Sequence, residues 1–144
     1  MNKKINQFNI FYHNRINLSK SMNPEILLKK ISKALLTLSK SLVWNGKLAI
    51  GGDYHKKYYT AISSGFLDEK SEILELKKAK MNNFGFEVKQ NLCNFGIYFY
   101  TKLKKEYIKI FCGNGCVIER TIQNYIEKFV CENDWIYRNI WCII

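Results

Sequence analysis

The longest regular apolar pattern in the chain runs from residue 24 to residue 42, and it predicts a helix. Asn23 is a typical N-cap residue, and Pro24 suits the first helical position, where its missing N–H costs nothing. Apolar side chains then recur at helical spacing: Ile26, Leu27, Ile31, Ala34, Leu35, Leu38 and Leu42. Lysines occupy much of the other face: Lys29, Lys30, Lys33 and Lys40. The pattern therefore indicates an amphipathic helix with a basic outer side.

The length of the chain and its apolar content favour a single folded domain. The chain has 144 residues, of which 47% are hydrophobic, so it can bury a core and wholesale disorder is excluded. Residues 1–22 are polar and basic without regular periodicity, which predicts a basic N-terminal arm that orders on a partner or against the domain. Residues 23–144 are predicted to form one mixed α/β domain. No apolar run is long enough to cross a bilayer, and the start does not resemble a secretory signal, so we expect no membrane partner.

The middle of the chain carries turn and strand patterns. Turn residues at 44–47 and 51–53 flank a short apolar run, and Tyr58 to Ile62 favours a strand, which together predict a hairpin across 44–63. A strand is also predicted at Phe84 to Val88. Residues 73–76 and 91–105 fit either a helix or a strand.

The last third predicts a strand–loop–helix–strand unit. Tyr107 to Phe111 alternates as a strand, the glycines at 113 and 115 end it, and Val117 to about Val130 has helical spacing. Trp135 to Ile144 favours a final strand, parallel to the first strand of the unit. The predicted fold class is α/β, with a mixed sheet and packed helices.

The charge of the chain is strongly positive and uneven. The net charge is +11, and residues 1–60 alone carry 11 Lys and Arg against two acids. Such an excess is relieved by a polyanion, and nucleic acid is the commonest one because phosphate contacts release counterions. The alternative is codon bias, since Lys, Asn and Ile are abundant and Pro occurs once.

The five cysteines indicate neither a disulfide framework nor a metal site. An odd number without a secretion signal favours reduced thiols. Cys112 and Cys116 form a C-x3-C pair, and a tetrahedral zinc site would need two more ligands close to them. The sequence has no second cysteine pair with ligand spacing, and His13 and His55 lie far from this pair, so a zinc site is not predicted. Cys131 and Cys142 lie among apolar neighbours, which suits buried side chains.

Two segments are candidates for contact with RNA. In the first, Gly113, Asn114 and Gly115 join a strand to a helix start whose N–H groups could bind a backbone phosphate, with a plain tight turn as the alternative. The second segment combines His55, Lys56 and Lys57 with tyrosines that could stack on unpaired bases; its alternative is a solvated hairpin. Lys47, Arg120 and Arg138 are added as phosphate contacts. The turn lacks the motifs of a nucleotide-binding loop, so no cofactor is predicted.

The glycine turn and the helix after it resemble the eleventh protein of the small ribosomal subunit, in its bacterial and organellar form. Gly113, Gly115, Glu119 and Ile122 lie in the register of that family's glycine loop and following helix, whereas Val117 and Ile118 replace its third Gly and its Arg. Residues 63–66 are similar to the family's Ser-Ala-Gly turn. The resemblance covers at most residues 43–144, and it implies a structural protein bound to ribosomal RNA and neighbouring ribosomal proteins. It also implies a mitochondrial or plastid ribosome, with a cytoplasmic one as the alternative.

The predicted function is therefore binding of structured RNA in a ribonucleoprotein, without catalysis or a small-molecule substrate. One alternative is a small metal-independent ribonuclease or toxin domain with His55 as general base and Lys56 or Lys57 stabilising the phosphate. The other alternative is a basic interaction or inhibitor module that docks on an acidic protein surface.

Overall fold

A six-stranded mixed sheet organises the fold. The computed structural model describes residues 9–42 and 46–132. The strands are β1 (Phe11–Tyr12), β2 (Arg15–Asn17), β3 (Lys47–Gly52), β4 (Glu72–Leu76), β5 (Phe95–Lys102) and β6 (Lys105–Cys112). Their order across the sheet is β1-β2-β6-β5-β3-β4. Strands β4, β3 and β5 are parallel, and the remaining pairs are antiparallel.

Helices cover the two faces of the sheet unequally. The helices are α1 (Pro24–Leu42), α2 (Lys56–Gly65), α3 (Met81–Gln90) and α4 (Arg120–Val130). Helix α1 packs against both α2 and α4, and these three helices cover one face over the larger core cluster. Among the described helices, only α3 lies on the other face, over a small cluster that includes Phe84, Val88 and Phe111. The fold class predicted from the sequence, a mixed α/β fold with packed helices, is confirmed.

The long amphipathic helix is confirmed as well. It begins at Pro24, and the Asn23 side chain accepts a hydrogen bond from the Ile26 N–H at 3.2 Å. Its apolar stripe is buried at Leu27, Leu28, Ile31, Ala34 and Leu35. Two serines also fall within this stripe, and they are satisfied because Ser32 and Ser39 donate to carbonyl oxygens one turn earlier.

Two predicted strands are helices in the structure. Residues 58–62 belong to α2, where Tyr58, Ala61 and Ile62 are buried together, so the hairpin predicted across 44–63 is wrong. The spacing of three and four that buries one helical face is present there, but aromatic residues with high strand preference obscured it. Residues 84–88 belong to α3, whose Phe84 and Val88 pack against the sheet.

The segment before the long helix is part of the sheet. Strands β1 and β2 form a hairpin, and β2 pairs with β6 through Ile16 and Asn17. Ile10, Phe11, Ile16 and Leu18 are all buried in the larger core cluster. Over residues 9–22 the predicted arm is therefore an edge hairpin packed against the domain, and the boundary at residue 22 does not separate it from the domain. Residues 1–8 lie outside the described part.

The last predicted elements are shifted along the chain. The strand at 107–111 is confirmed within β6, and the ambiguous segments 73–76 and 91–105 contain β4 and β5. The helix predicted from Val117 begins at Arg120. The strand predicted for 135–144 lies outside the described residues. Within the described ranges, no helix is long and apolar enough to cross a membrane.

Candidate nucleic-acid interface

The residues predicted to contact RNA do not form one site. His55, Lys56 and Lys57 lie at the start of α2, next to the carboxyl end of β3. Lys47 and the turn at Gly113–Gly115 lie at the opposite end of the sheet, where β3 begins and β6 ends. Arg120 begins α4, and Arg138 lies outside the described residues. The structure therefore separates the two segments predicted to contact RNA, and contact of either segment with RNA stays a prediction.

His55 is paired with a carboxylate at the surface. Its Nε2 lies 3.1 Å from Oε2 of Glu106, and the Tyr58 hydroxyl donates to the other oxygen of that carboxylate at 2.8 Å. Burial and the hydrogen bond to Glu106 raise the pKa of Tyr58 above its usual range, so this tyrosine is a poor proton donor. His13 lies in the turn between β1 and β2. Because Ile16 pairs with Ile108, this turn lies toward the end of β6, whereas Glu106, the partner of His55, lies at its start. The second histidine is thus not available to the ribonuclease alternative.

The glycine turn has a structural explanation. Gly115 has φ 91°, and a Cβ on Gly85 of α3 would lie 2.1 Å from the Gly115 carbonyl oxygen. The Asn114 side chain accepts from the Cys116 N–H at 3.0 Å, and the chain then returns along β6, where Ile118 N–H donates to the Ile110 carbonyl. Helix α4 begins only after this return. Gly85 and Gly115 therefore permit close packing of the turn on α3, and Gly113 and Gly115 do not lie at a helix start.

Arg120 and Lys47 are held by other parts of the chain. Arg120 donates to Gln123 at 3.0 Å and lies 3.4 Å from the buried carboxylate of Glu127. Lys47 begins β3, and its backbone N–H donates to the Asn94 side chain at 2.7 Å. The Arg120 side chain therefore has a structural role, whereas at Lys47 the backbone is held and the half-buried side chain is given no such role by this hydrogen bond.

The positive charge of the first 60 residues is dispersed. Lys29, Lys33 and Lys40 lie exposed on the outer side of α1, Lys47 lies at one end of β3, and Lys56 and Lys57 lie at the other. Only three ion pairs form within the described residues: Lys40–Asp68, His55–Glu106 and Arg120–Glu127. Within residues 9–42 and 46–60, the surplus that the sequence showed is therefore spread over several surfaces, although Lys29 and Lys57 line one pocket.

A coherent basic and aromatic surface lies elsewhere, on the sheet face that α3 covers only in part. Side chains of a strand alternate between the two faces, so the burial of Phe99, Ile108 and Ile16 in the larger core cluster determines which neighbours point the other way. We call this surface the open face. It consists of Tyr12, Arg15, Asn17, Tyr100, Lys102, Lys105, Tyr107 and Lys109, all half-buried or exposed. It contains four cations and no acid.

The aromatic residues of the open face are arranged for stacking. Tyr100 and Tyr107 are opposite each other on β5 and β6, and their rings are stacked at 5.4 Å with an interplanar angle of 20°. The Arg15 guanidinium lies 4.4 Å from the centroid of the Tyr107 ring. None of Lys102, Lys105 and Lys109 is in an ion pair with a described residue. The strand alternation at 107–111 was visible in the sequence, but which face stays uncovered depends on the positions of α3 and of the β1–β2 hairpin.

One pocket lies beside the open face, and another lies at the end of the parallel strands. The edge pocket, of about 410 Å³, lies beside β1 and β2 and shares Tyr12, Arg15, Asn17, Lys105 and Tyr107 with the open face. The second pocket, of about 550 Å³, lies beyond the carboxyl ends of β3 and β4 and is lined by Gly52, Asp53, Tyr54, Lys56, Tyr59, Glu75 and Lys77.

The cysteines of the described ranges differ in their exposure. Cys93 and Cys131 are buried, Cys112 is half-buried and Cys116 is exposed, whereas Cys142 lies outside the described part. Burial raises the pKa of Cys93 to about 11. No three potential metal ligands lie together among residues 9–42 and 46–132.

Comparison with known proteins adds no assignment, because no protein-family model and no curated protein matches the chain.

Proposed function

We propose that the protein binds RNA, and that its open face receives unpaired bases. The observation that carries this proposal is the stacked pair of Tyr100 and Tyr107 on an acid-free surface with four cations. Every base offers a π-face, so exposed rings on a sheet bind single-stranded segments while nearby cations contact the phosphates. Arg15 contributes both to stacking and to phosphate contact, because it is charged and lies over the Tyr107 ring.

The open face suits loops and single strands better than a continuous duplex. Bases in a duplex are stacked on one another, and their faces are not accessible to a flat sheet. Membership of a ribosomal small subunit remains a prediction that rests on the resemblance at residues 113–122. The hairpin expected before the Ser-Ala-Gly-like segment is not present, since residues 63–65 end helix α2.

Binding to oligonucleotides tests the proposal. Fluorescence anisotropy with a labelled single-stranded 12-mer RNA should give saturable binding, and a blunt RNA duplex of the same length should bind more weakly. The double variant Tyr100→Leu, Tyr107→Leu should weaken single-strand binding at least tenfold, because stacking contributes about 1–3 kcal/mol per base. Tyr100→Phe, Tyr107→Phe should bind as the wild type does, since the rings remain.

A control on the other side of the sheet separates this effect from altered folding. Tyr125 lies in α4, where it packs against the larger core cluster, so Tyr125→Leu removes a half-buried ring without touching the open face. It should leave RNA affinity unchanged. Equal affinity of the wild type and the Tyr100→Leu, Tyr107→Leu variant would contradict the proposal.

The strand order favours one second candidate, a small phosphorylated ligand. The chain passes from β3 to β4 through α2 on one face, and from β4 back across β3 to β5 through α3 on the other face. Ligands of parallel sheets bind beyond the carboxyl ends of the strands, above all in the crevice at such a reversal, which here lies between β3 and β5. The 550 Å³ pocket lies at the same end of the sheet, beside β3 and β4, and contains Lys56 and Lys77, together with Asp53 and with Glu75, which accepts a hydrogen bond from Tyr54.

Phosphate titration followed by NMR distinguishes this candidate from RNA binding. Inorganic phosphate should shift the backbone resonances of Gly52 to Lys56 if the pocket binds phosphorylated ligands, and Lys56→Gln with Lys77→Gln should abolish the shift. Shifts confined to the open face would contradict the second candidate and agree with the first.

A further inference from the structure

The edge pocket has the composition of a nucleotide site. Ile10 and Phe11 line it, but their side chains belong to the larger core cluster and only 2% and 6% of their surface is exposed, so the surface open to a ligand comes from other residues. Tyr12 and Tyr107 add aromatic walls, and Tyr12 is 71% exposed. A flat base could therefore stack or pack inside the pocket while its ribose remains at the surface.

The rim of the edge pocket is cationic. Arg15, Lys20 and Lys105 line it, no carboxylate does, and none of the three is in an ion pair with a described residue. The volume of about 410 Å³ lies near the lower end of the range of small-ligand pockets, roughly 300–1,000 Å³. The pocket therefore suits one phosphate-bearing group of limited size.

Asn17 determines which base edge is favoured. Its Oδ1 accepts a hydrogen bond from the Ser19 N–H at 3.0 Å, which fixes the orientation of the amide. The amide nitrogen then has no partner among the described residues, and it is a donor in the lining of the pocket. A donor without a nearby carboxylate favours a base that presents a carbonyl oxygen over one that presents an amino group.

We propose that the edge pocket binds one unpaired nucleotide of the RNA, with a base that presents O4 of uracil or O6 of guanine where cytosine and adenine present an amino group. The inference rests on the proposed RNA binding and deepens it. The open face holds the strand through stacking and charge, and the edge pocket selects one base through Asn17. Lys20 and Lys105 contact the flanking phosphates.

Uracil and cytosine provide the sharpest comparison because they differ chiefly in O4 against N4–H₂. Anisotropy with labelled U12 and C12 should show U12 bound about fivefold more tightly, as expected for one additional hydrogen bond. Asn17→Asp should reverse this preference, because a carboxylate accepts from the cytosine amino group and Asp keeps the N-cap acceptor for Ser19. A purely structural role of Asn17 would weaken both oligonucleotides equally and would not change their ratio.

Two results would overturn the proposal, and they differ in what they leave standing. Equal affinity for U12 and C12, with the loss caused by Tyr100→Leu, Tyr107→Leu intact, removes the edge pocket and leaves RNA binding by the open face. Absence of binding to both oligonucleotides removes both proposals. Lys109→Gln, on the open face but outside the pocket, is the control: it should weaken both oligonucleotides by the same factor.

Discussion

Replacement of Glu127 by alanine should destabilise the domain by detaching its edge hairpin. Glu127 lies in α4 and is 4% exposed. Its Oε2 accepts the backbone N–H groups of Ile10 at 2.9 Å and Phe11 at 3.0 Å, across more than a hundred residues of sequence. This carboxylate therefore connects α4 to the start of the edge hairpin.

The magnitude follows from the two hydrogen bonds. A hydrogen bond to a charged group contributes about 1.5–3 kcal/mol, and a buried N–H without an acceptor is costly. Glu127→Ala removes the acceptor of two such groups, so we expect a loss of about 3–5 kcal/mol. For a domain of this length that corresponds to a fall in Tm of roughly 6–20 °C. A loss of this size is a large part of an ordinary stability of about 5–15 kcal/mol.

Urea unfolding followed by circular dichroism measures this loss, and two variants control it. Glu127→Gln keeps a carbonyl oxygen for both N–H groups, so it should lose less than about half as much as Glu127→Ala. Lys128→Ala, an exposed neighbour on the same helix, should change the free energy of unfolding by less than about 0.5 kcal/mol. Equal losses for Glu127→Ala and Glu127→Gln would refute the reasoning, because the acceptor oxygen would then be irrelevant.

Three further predictions concern pH, the β5–β6 turn and the thiols. Burial raises the pKa of Glu127 above its usual value despite its hydrogen bonds. Between the pKa of Glu127 in the unfolded state and its higher pKa in the folded state, the folded state binds more protons. The free energy of unfolding should therefore fall as pH rises through that window. Urea unfolding of Glu127→Gln across the same pH range should lack this component, and a wild-type stability that rises there relative to Glu127→Gln would contradict it. Leu103 and Lys104 have φ of 52° and 66°, where non-glycine residues are strained. The double variant Leu103→Asn, Lys104→Gly should therefore raise the free energy of unfolding by about 1–2 kcal/mol, seen as a higher urea midpoint with an unchanged m value. An unchanged midpoint would mean that the turn holds no such strain. In native protein a thiol reagent should label Cys116 rapidly and spare Cys93, whose burial raises its pKa to about 11; labelling of Cys93 at the rate seen in urea would contradict its burial.

The sequence was informative where a single face is buried. Helix α1 could be predicted because its apolar stripe, its N-cap and Pro24 all indicate the same structure. Strand β6 could be predicted because it alternates. Helix α2 was missed because Tyr58 and Tyr59 favour strands in isolation, whereas the burial of Tyr58, Ala61 and Ile62 against α1 decides the helix.

Helix α3 was missed for a different reason. It contains Gly85 in its interior, which lowers helix preference by about 1 kcal/mol relative to alanine. The glycine is required because the Gly115 turn packs directly on the helix at that point. A contact between residues thirty positions apart therefore determines the local structure, and no local pattern contains that information.

The candidate site was predictable only in its chemistry. Lysines interleaved with tyrosines indicated phosphate and base contacts. The sequence indicated these contacts at residues 55–59, whereas the open face is formed by other residues. The residues of the open face come from three separate segments, at 12–17, 100–102 and 105–109, which the hairpin and the antiparallel pairing of β5 and β6 bring together. Counting charges along the chain favoured the first 60 residues, whereas three of the four cations of the open face lie beyond residue 100.

The salt dependence of RNA affinity tests the central claim most directly. Affinity for the single-stranded 12-mer should fall between 50 and 200 mM salt with a log–log slope of about −3, since each neutralised phosphate contributes about −0.7 and the open face offers four cations. The triple variant Lys102→Gln, Lys105→Gln, Lys109→Gln should bring that slope to about −1. The matched triple variant Lys29→Gln, Lys33→Gln, Lys128→Gln, with the same net charge but on α1 and α4, should leave the slope unchanged. Equal slopes for the two triple variants would show that the net charge of the chain, and not the open face, governs binding.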